Sequence, residues 1–391
     1  PFLSLMTVGI LPSHLWQDIA PANAPLAEQN KKPIGCGPYQ FDKLVKDTKG
    51  NIRSYTLKRN TNYHLGAPFI EKLNFKFYTD IGGALEALRN HNIEGLSYIP
   101  LEVVPDYKNE NNIQIIFPDL HQYTAAFLNQ KHNEILENDE VREALALATD
   151  KEALVQIALE GYGRMIDSFI LGGMIGEHPE IKKIEYDLEG ARTKLEEAGW
   201  TFEEGADVRS KDAATLDITI VTLNAPELVA AANVLKEQWT QAGFRVGVSA
   251  VESSTFQNET LKNQDYDVLI SGELYGIDPD PYAFWHSSQT EFPGLNLSQF
   301  SNRKADELIE KARSSSDPAE RAKAYIELQD LVADSIPAIF LYQPQYSFVT
   351  AAKIQNLNVK QIVTPADRFS NVHTWYIKTK KVIGEAQNDA K

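Results

Sequence analysis

LDITIVTLNAPELVAAANVLKEQWTQAGFRVGVSAVESSTFQNETLKNQDYDVLI, from Leu216 to Ile270, is the stretch whose reading decides the fold. Residues 216–223 form a short β-rich apolar run, which predicts a strand. From Pro226 to Ala242, Leu228, Ala231, Ala232, Leu235 and Trp239 recur at three- and four-residue spacing, the mark of a helix with one apolar face. Gly243 stands where a left-handed residue would stop that helix. Residues 245–251 predict a second strand, 254–263 a polar helix and 267–270 a third strand. Strand, helix, strand, helix, strand is the signature of an α/β lobe.

The same alternation extends outward. Downstream, residues 304–314 and 318–335 predict two helices, the second capped by Asp317 with Pro318 at its first position and Glu320 at its third. Ile336-Pro337 ends it, and 338–342 reads as a buried strand. Upstream, 54–58 and 72–78 predict strands; in the latter, apolar Leu73, Phe75 and Phe77 alternate with polar neighbours. A helix is expected from about 83 to 90, with Ala84, Leu85, Ala87 and Leu88 on one face.

Composition excludes several classes. The 391 residues exceed one ordinary core and predict more than one compact unit. A formal charge of −16 repels phosphate backbones and anionic lipid, so nucleic acid is not an expected partner. No apolar run is long enough to span a bilayer. The single cysteine, Cys36, rules out an internal disulfide and any zinc site needing two thiolates. It sits in a Gly- and Pro-rich turn with no cation in the motif, which favours a structural role. The eight histidines are scattered with no i, i+4 pair, and no phosphate loop, nucleophile elbow or dinucleotide fingerprint occurs. Neither catalysis, a metal nor a cofactor is therefore expected.

One segment stands apart from the periodic pattern: SGELYGIDPDPYAFWHSSQ, Ser271 to Gln289. It follows the strand at 267–270, and a loop at the carboxyl end of an α/β strand is where open sheets place ligands. Aromatic side chains there supply contact area at low entropic cost, and an acid can hold an ammonium group. Glu273, Tyr275, Asp278, Asp280 and Trp285 are accordingly candidate ligand-binding residues. The alternative is a packed Ω-loop whose Tyr282, Phe284 and Trp285 fill the core beneath it.

Elsewhere the chain resembles a known family. PIGCGPY (33–39), followed by Arg59, Asn60 and Tyr63 in LKRNTNYHLGAPFIEKLNFKFYTD, is similar to a pattern of the bacterial extracellular solute-binding proteins of family 5, the peptide, dipeptide and nickel receptors of ABC importers. Cys36 stands where that pattern has threonine or serine. NDEVREALALATDKEALVQIALEGYG (138–163), YDLEGARTKLEEAGW (186–200) and QFSNRKADELIEKARSSSDPAERAKAYIELQDLVADSIPAIFLYQ (299–343) resemble further family stretches in the same order.

The resemblance implies a periplasmic-binding-protein-like α/β fold (type II, cluster C): two lobes, hinge strands between them, and ligand held in the cleft. It places residues 1–118 and 343–378 in an N-terminal lobe, 119–342 in a complete C-terminal lobe, and 379–391 in a flexible tail. Family members carry a substantial region before the point matching Pro1, so the first lobe is expected to be incomplete, through truncation or a separate chain. The implied function is capture of oligopeptides or dipeptides and delivery to an ABC permease, outside the cytoplasm, as a periplasmic protein or a lipid-anchored surface protein. An oligosaccharide or nickel chelate as cargo, or a receptor or chaperone that does not transport, are the alternatives. In peptide-binding relatives an aspartate of the 271–289 loop pairs with the peptide amino terminus. Tyr275 occupies its place here, with Glu273 or Asp278 as possible substitutes. Tyr123 and Asn129 are added because the corresponding family strand faces the cleft.

Overall fold

The computed structural model describes residues 9–378; the expected tail from Thr379 to Lys391 lies outside them. The chain divides into two compact units, one from Asp119 to Gln345 and the other from residues 9–118 and 346–378.

The larger unit is built on a six-stranded mixed sheet. Its strands are β1 (Gln122–Leu128), β2 (Gly163–Met165), β3 (Asp217–Leu223), β4 (Arg245–Val251), β5 (Val268–Leu274) and β6 (Ala338–Pro344). Their order across the sheet is β4-β3-β5-β1-β6-β2, with β3 parallel to both β4 and β5 and the remaining pairs antiparallel. Strand β1 lies at the centre, and every residue from Tyr123 to Leu128 is buried, as a strand covered on both faces requires.

The longer helices of the unit are α1 (Asp139–Leu147), α2 (Lys151–Ala158), α3 (Leu188–Glu197), α4 (Pro226–Ala242), α5 (Arg303–Ser314) and α6 (Pro318–Ser335). Helix α4 has the predicted bounds and buries Ala231, Ala232, Leu235 and Trp239. The Trp239 indole N–H donates to Thr149 Oγ1 at 3.0 Å, so the ring is enclosed with its polar edge bonded. Burial of a side chain of this kind contributes roughly 1.5–3 kcal/mol. Gly243 ends the helix at φ 106°, its N–H returning to the last-turn carbonyls. A Cβ there would meet the Arg209 side chain at 2.8 Å, a second reason for glycine. Helix α6 begins as expected, with Asp317 Oδ1 accepting from Ala319 N at 2.8 Å.

Arg142 makes a link that local pattern does not announce. Its buried guanidinium donates to the Leu136 and Glu137 carbonyls at 2.8 and 2.9 Å and to the Ser335 carbonyl at 3.0 Å. It thereby joins the start of α1 to the end of α6.

Element boundaries in this unit also differ from the sequence expectation. The helix expected at 254–263 spans 253–263 and contains a π turn at Phe256–Thr260. Strand β5 runs to Leu274, not Ile270, because its pairing with β1 continues through Leu274↔Gln122. Ser271, Gly272, Glu273 and Leu274 are therefore sheet residues and not loop.

The smaller unit holds two three-stranded sheets, one of Tyr39–Lys46, Ile52–Arg59 and Lys72–Lys76, the other of Gly95–Leu96, Phe348–Ala351 and Ile113–Ile116. The strand expected at 72–78 stops at Lys76, and Phe77 is half exposed. Asp80 starts the following helix early: its Oδ1 accepts from Gly83 N at 2.8 Å, so the helix runs Ile81–Arg89. The PIGCGPY turn is held by Asn60, whose Nδ2 donates to the Gly37 carbonyl at 3.0 Å while its N–H donates to the Pro38 carbonyl at 2.8 Å. Cys36 is exposed at that turn.

Candidate functional site

The antiparallel register of β1 and β5 sets Tyr123 directly opposite Glu273. Residues so paired share one face of the sheet. The Tyr123 hydroxyl donates to Glu273 Oε2, and the Trp285 indole N–H donates to the Tyr123 oxygen at 3.2 Å. Trp285 comes from the short helix Tyr282–Trp285, whose preceding loop is pinned to the start of β1 by Tyr275 N–H donating to the His121 carbonyl at 2.8 Å.

Around this chain of bonds the surroundings are aromatic. Tyr123 lies 5.6 Å from the Tyr275 ring and 5.7 Å from Phe340, and Trp285 lies 5.3 Å from Phe169. Glu273 is only 4% exposed, and its Oε1 is buried with no hydrogen-bond partner. Removal from water disfavours the charged form, so burial holds the Glu273 carboxyl well above the usual carboxylate range. Burial, and then the nearby Glu273 carboxyl, push the Tyr123 and Tyr275 hydroxyls up in turn.

The two aspartates of the segment have other partners. Asp278 receives Arg321 Nη2 at 2.7 Å on Oδ1 and 2.9 Å on Oδ2. The same guanidinium donates to the Tyr325 hydroxyl at 3.1 Å and, through Nε, to the Ala312 carbonyl at 3.0 Å. Asp280 pairs with Arg313 Nε at 2.9 Å, and Arg313 lies over the Tyr282 ring, 4.1 Å from its centre. Asp280 Oδ1 also accepts from Tyr282 N at 3.2 Å. Two arginines, from α5 and α6, thus tie the 276–281 loop to the helices beneath.

Of the seven expected site residues, the structure gathers Tyr123, Glu273, Tyr275 and Trp285 into one buried cluster. Trp285 is 1% exposed and Tyr275 2%, so both are core side chains in this unit. Trp285 packs beneath the segment, against Phe127, Phe169, Phe300 and Phe340. Asp278 and Asp280 are structural anchors of the loop, not open carboxylates. Asn129 sits at the opposite end of β1, roughly 20 Å away at strand rise. There its Nδ2 donates to the Gln264 carbonyl at 3.1 Å and its Oδ1 accepts from His132 N at 3.2 Å, the bonds of a turn residue. Arg313 and Arg321 were not legible in the sequence, since each is more than thirty residues from the acid it pairs with. Among the described residues no three His, Cys, Asp or Glu side chains converge as metal ligands, and no helix is long and apolar enough to cross a membrane.

A mixed α/β unit with a buried acid and aromatic cluster at the carboxyl end of a sheet strand fits the periplasmic-binding-protein class of fold. The family is shown directly: the chain belongs to the bacterial extracellular solute-binding proteins, family 5, whose middle-region model matches residues 3–294. Over 382 residues the chain is 28% identical to the oligopeptide-binding protein AppA of Bacillus subtilis, covering 96% of this chain and 68% of AppA. The chain spans about two thirds of the length of the curated relatives it matches. Among solved structures, AppA from Bacillus subtilis in complex with a nonapeptide matches 95% of this chain and 72% of that one at 27% identity, TM-score 0.68. NikZ from Campylobacter jejuni in complex with Ni(L-His) matches 96% of this chain and 74% of that one at 27% identity, TM-score 0.72.

Proposed function

We propose that this chain is the substrate-binding component of an ABC importer and that its cargo is peptide. The observation that carries the reading is the likeness to AppA, by sequence and by structure over nearly all of this chain, to a relative solved with a nonapeptide bound. Exposed Leu274 and Ile277 at the end of β5 support it, since apolar groups there suit a ligand of varied side chains. Backbone N–H and C=O groups of a peptide are the same at every residue, so such a receptor tolerates many sequences. The segments 119–342 and 1–118 with 343–378 act, in this reading, as the two lobes of a binding protein working outside the cytoplasm. It delivers cargo to a membrane permease and performs no catalysis.

A second cargo, a nickel chelate, is favoured by the likeness to NikZ with Ni(L-His). Native mass spectrometry of the purified chain separates the two. Co-purified masses matching a mixture of short peptides are the expected result. A single bound species carrying a nickel isotope pattern would keep the transport role and replace the cargo.

A further inference from the structure

The peptide reading does not say which part of a peptide meets the segment from Gly272 to Trp285, and the fate of its three acids answers that. Asp278 is bridged on both oxygens by Arg321, with the two side chains only 14% and 13% exposed. Asp280 is held by Arg313 and by the Tyr282 N–H. A ligand ammonium that drew Asp278 away would leave Arg321 enclosed without its counter-charge. Glu273 is enclosed by Tyr123 from β1, by Tyr275 beyond its own strand and by Trp285 behind Tyr123, all of them neutral side chains at pH 7. What the segment turns to solvent on the larger unit is apolar instead: Leu274 is 53% exposed and Ile277 66%.

Resting on the peptide reading, we propose that this segment grips an uncharged part of the peptide, its backbone and apolar side chains, and not its ammonium terminus. A peptide with a blocked amino terminus is then accepted as readily as one with a free amine. The cargo class is peptide read without regard to its amino end. Leu274 and Ile277 supply the contact, while the acids around them hold the wall rigid.

The test is calorimetric titration of the chain with a mixed-sequence library of synthetic nonapeptides, once with free amino termini and once N-acetylated. Dissociation constants of the two libraries within about threefold of one another are expected. The double variant Leu274→Ala, Ile277→Ala is expected to weaken both by about tenfold or more, with an unchanged thermal midpoint because both side chains are exposed. Acetylation that weakens binding by about tenfold, with the difference abolished in Glu273→Gln or Asp278→Asn, would overturn the inference. So would a double variant that binds as the parent does. Absence of binding by either library is a different failure, since it sinks the peptide reading itself.

Discussion

Glu273 carries its carboxyl into an aromatic core where one oxygen is bonded to Tyr123 and the other to nothing. Its carboxyl is raised in the folded chain by burial, so the native state holds the proton more tightly than the unfolded one. The sign follows: the stabilising contribution is complete below the ordinary glutamate value and is lost as pH rises toward the raised, folded value. Denaturant titrations from acid to mildly alkaline pH should show this loss in the parent and not in Glu273→Gln, which keeps an acceptor for Tyr123 but cannot ionise. Parallel pH profiles for the two proteins would refute the buried, neutral acid. At Asp278 the expectation is of another kind. Asp278→Asn removes the charge that Arg321 meets and should cost about 1.5–3 kcal/mol, as for a hydrogen bond to a charged group. A double-mutant cycle with Arg321→Met isolates that pair; a coupling energy near zero would show that the loop is held by something else.

At the scale of elements, helix ends and strand lengths carry the testable content. Helix α4 stops because Gly243 adopts a φ of 106° that other residues rarely accept, beside an arginine side chain with no room for a Cβ. Gly243→Ala should therefore destabilise by about 1–3 kcal/mol, read from a denaturant midpoint with unchanged slope. Asp317→Ala should cost about 1 kcal/mol through loss of the cap on α6, and Asp317→Asn should restore most of it. Strand β5 shows where local pattern misleads. Gly272 and Glu273 are poor strand formers, yet pairing with β1 carries the strand across them. A Cβ at Gly272 would displace the amide end of the Gln122 side chain across the strand pair.

For the whole molecule, the larger unit enters and leaves at neighbouring points: Asp119 and Gln345 form a β-bridge, and Gln345 Nε2 donates to Asp119 Oδ1 at 2.9 Å. A unit with its own sheet and core and adjacent termini should fold alone. Residues 119–345 expressed by themselves should melt cooperatively with a native-like near-ultraviolet circular dichroism signal. A compact product with helical far-ultraviolet signal and no aromatic signal would mean that the unit needs the rest of the chain.

The α/β class and the bounds of α4 and α6 follow from the sequence alone, because apolar spacing, caps and stop residues act within a few positions of one another. Gly243, Asp317 and the Ile336-Pro337 stop are such local devices, and the structure uses each where the pattern put it. The family was legible for a related reason: its turn and helix motifs are short and keep their order. What the tertiary structure alone decided is the state of the acids. Asp278 and Asp280 read as open carboxylates until Arg321 and Arg313 arrive from helices more than thirty residues away. Glu273 read as a loop residue until its register opposite Tyr123 turned it inward. Long-range pairing and burial set a carboxyl's partners and surroundings, and neither is a property of the residues beside it in the chain.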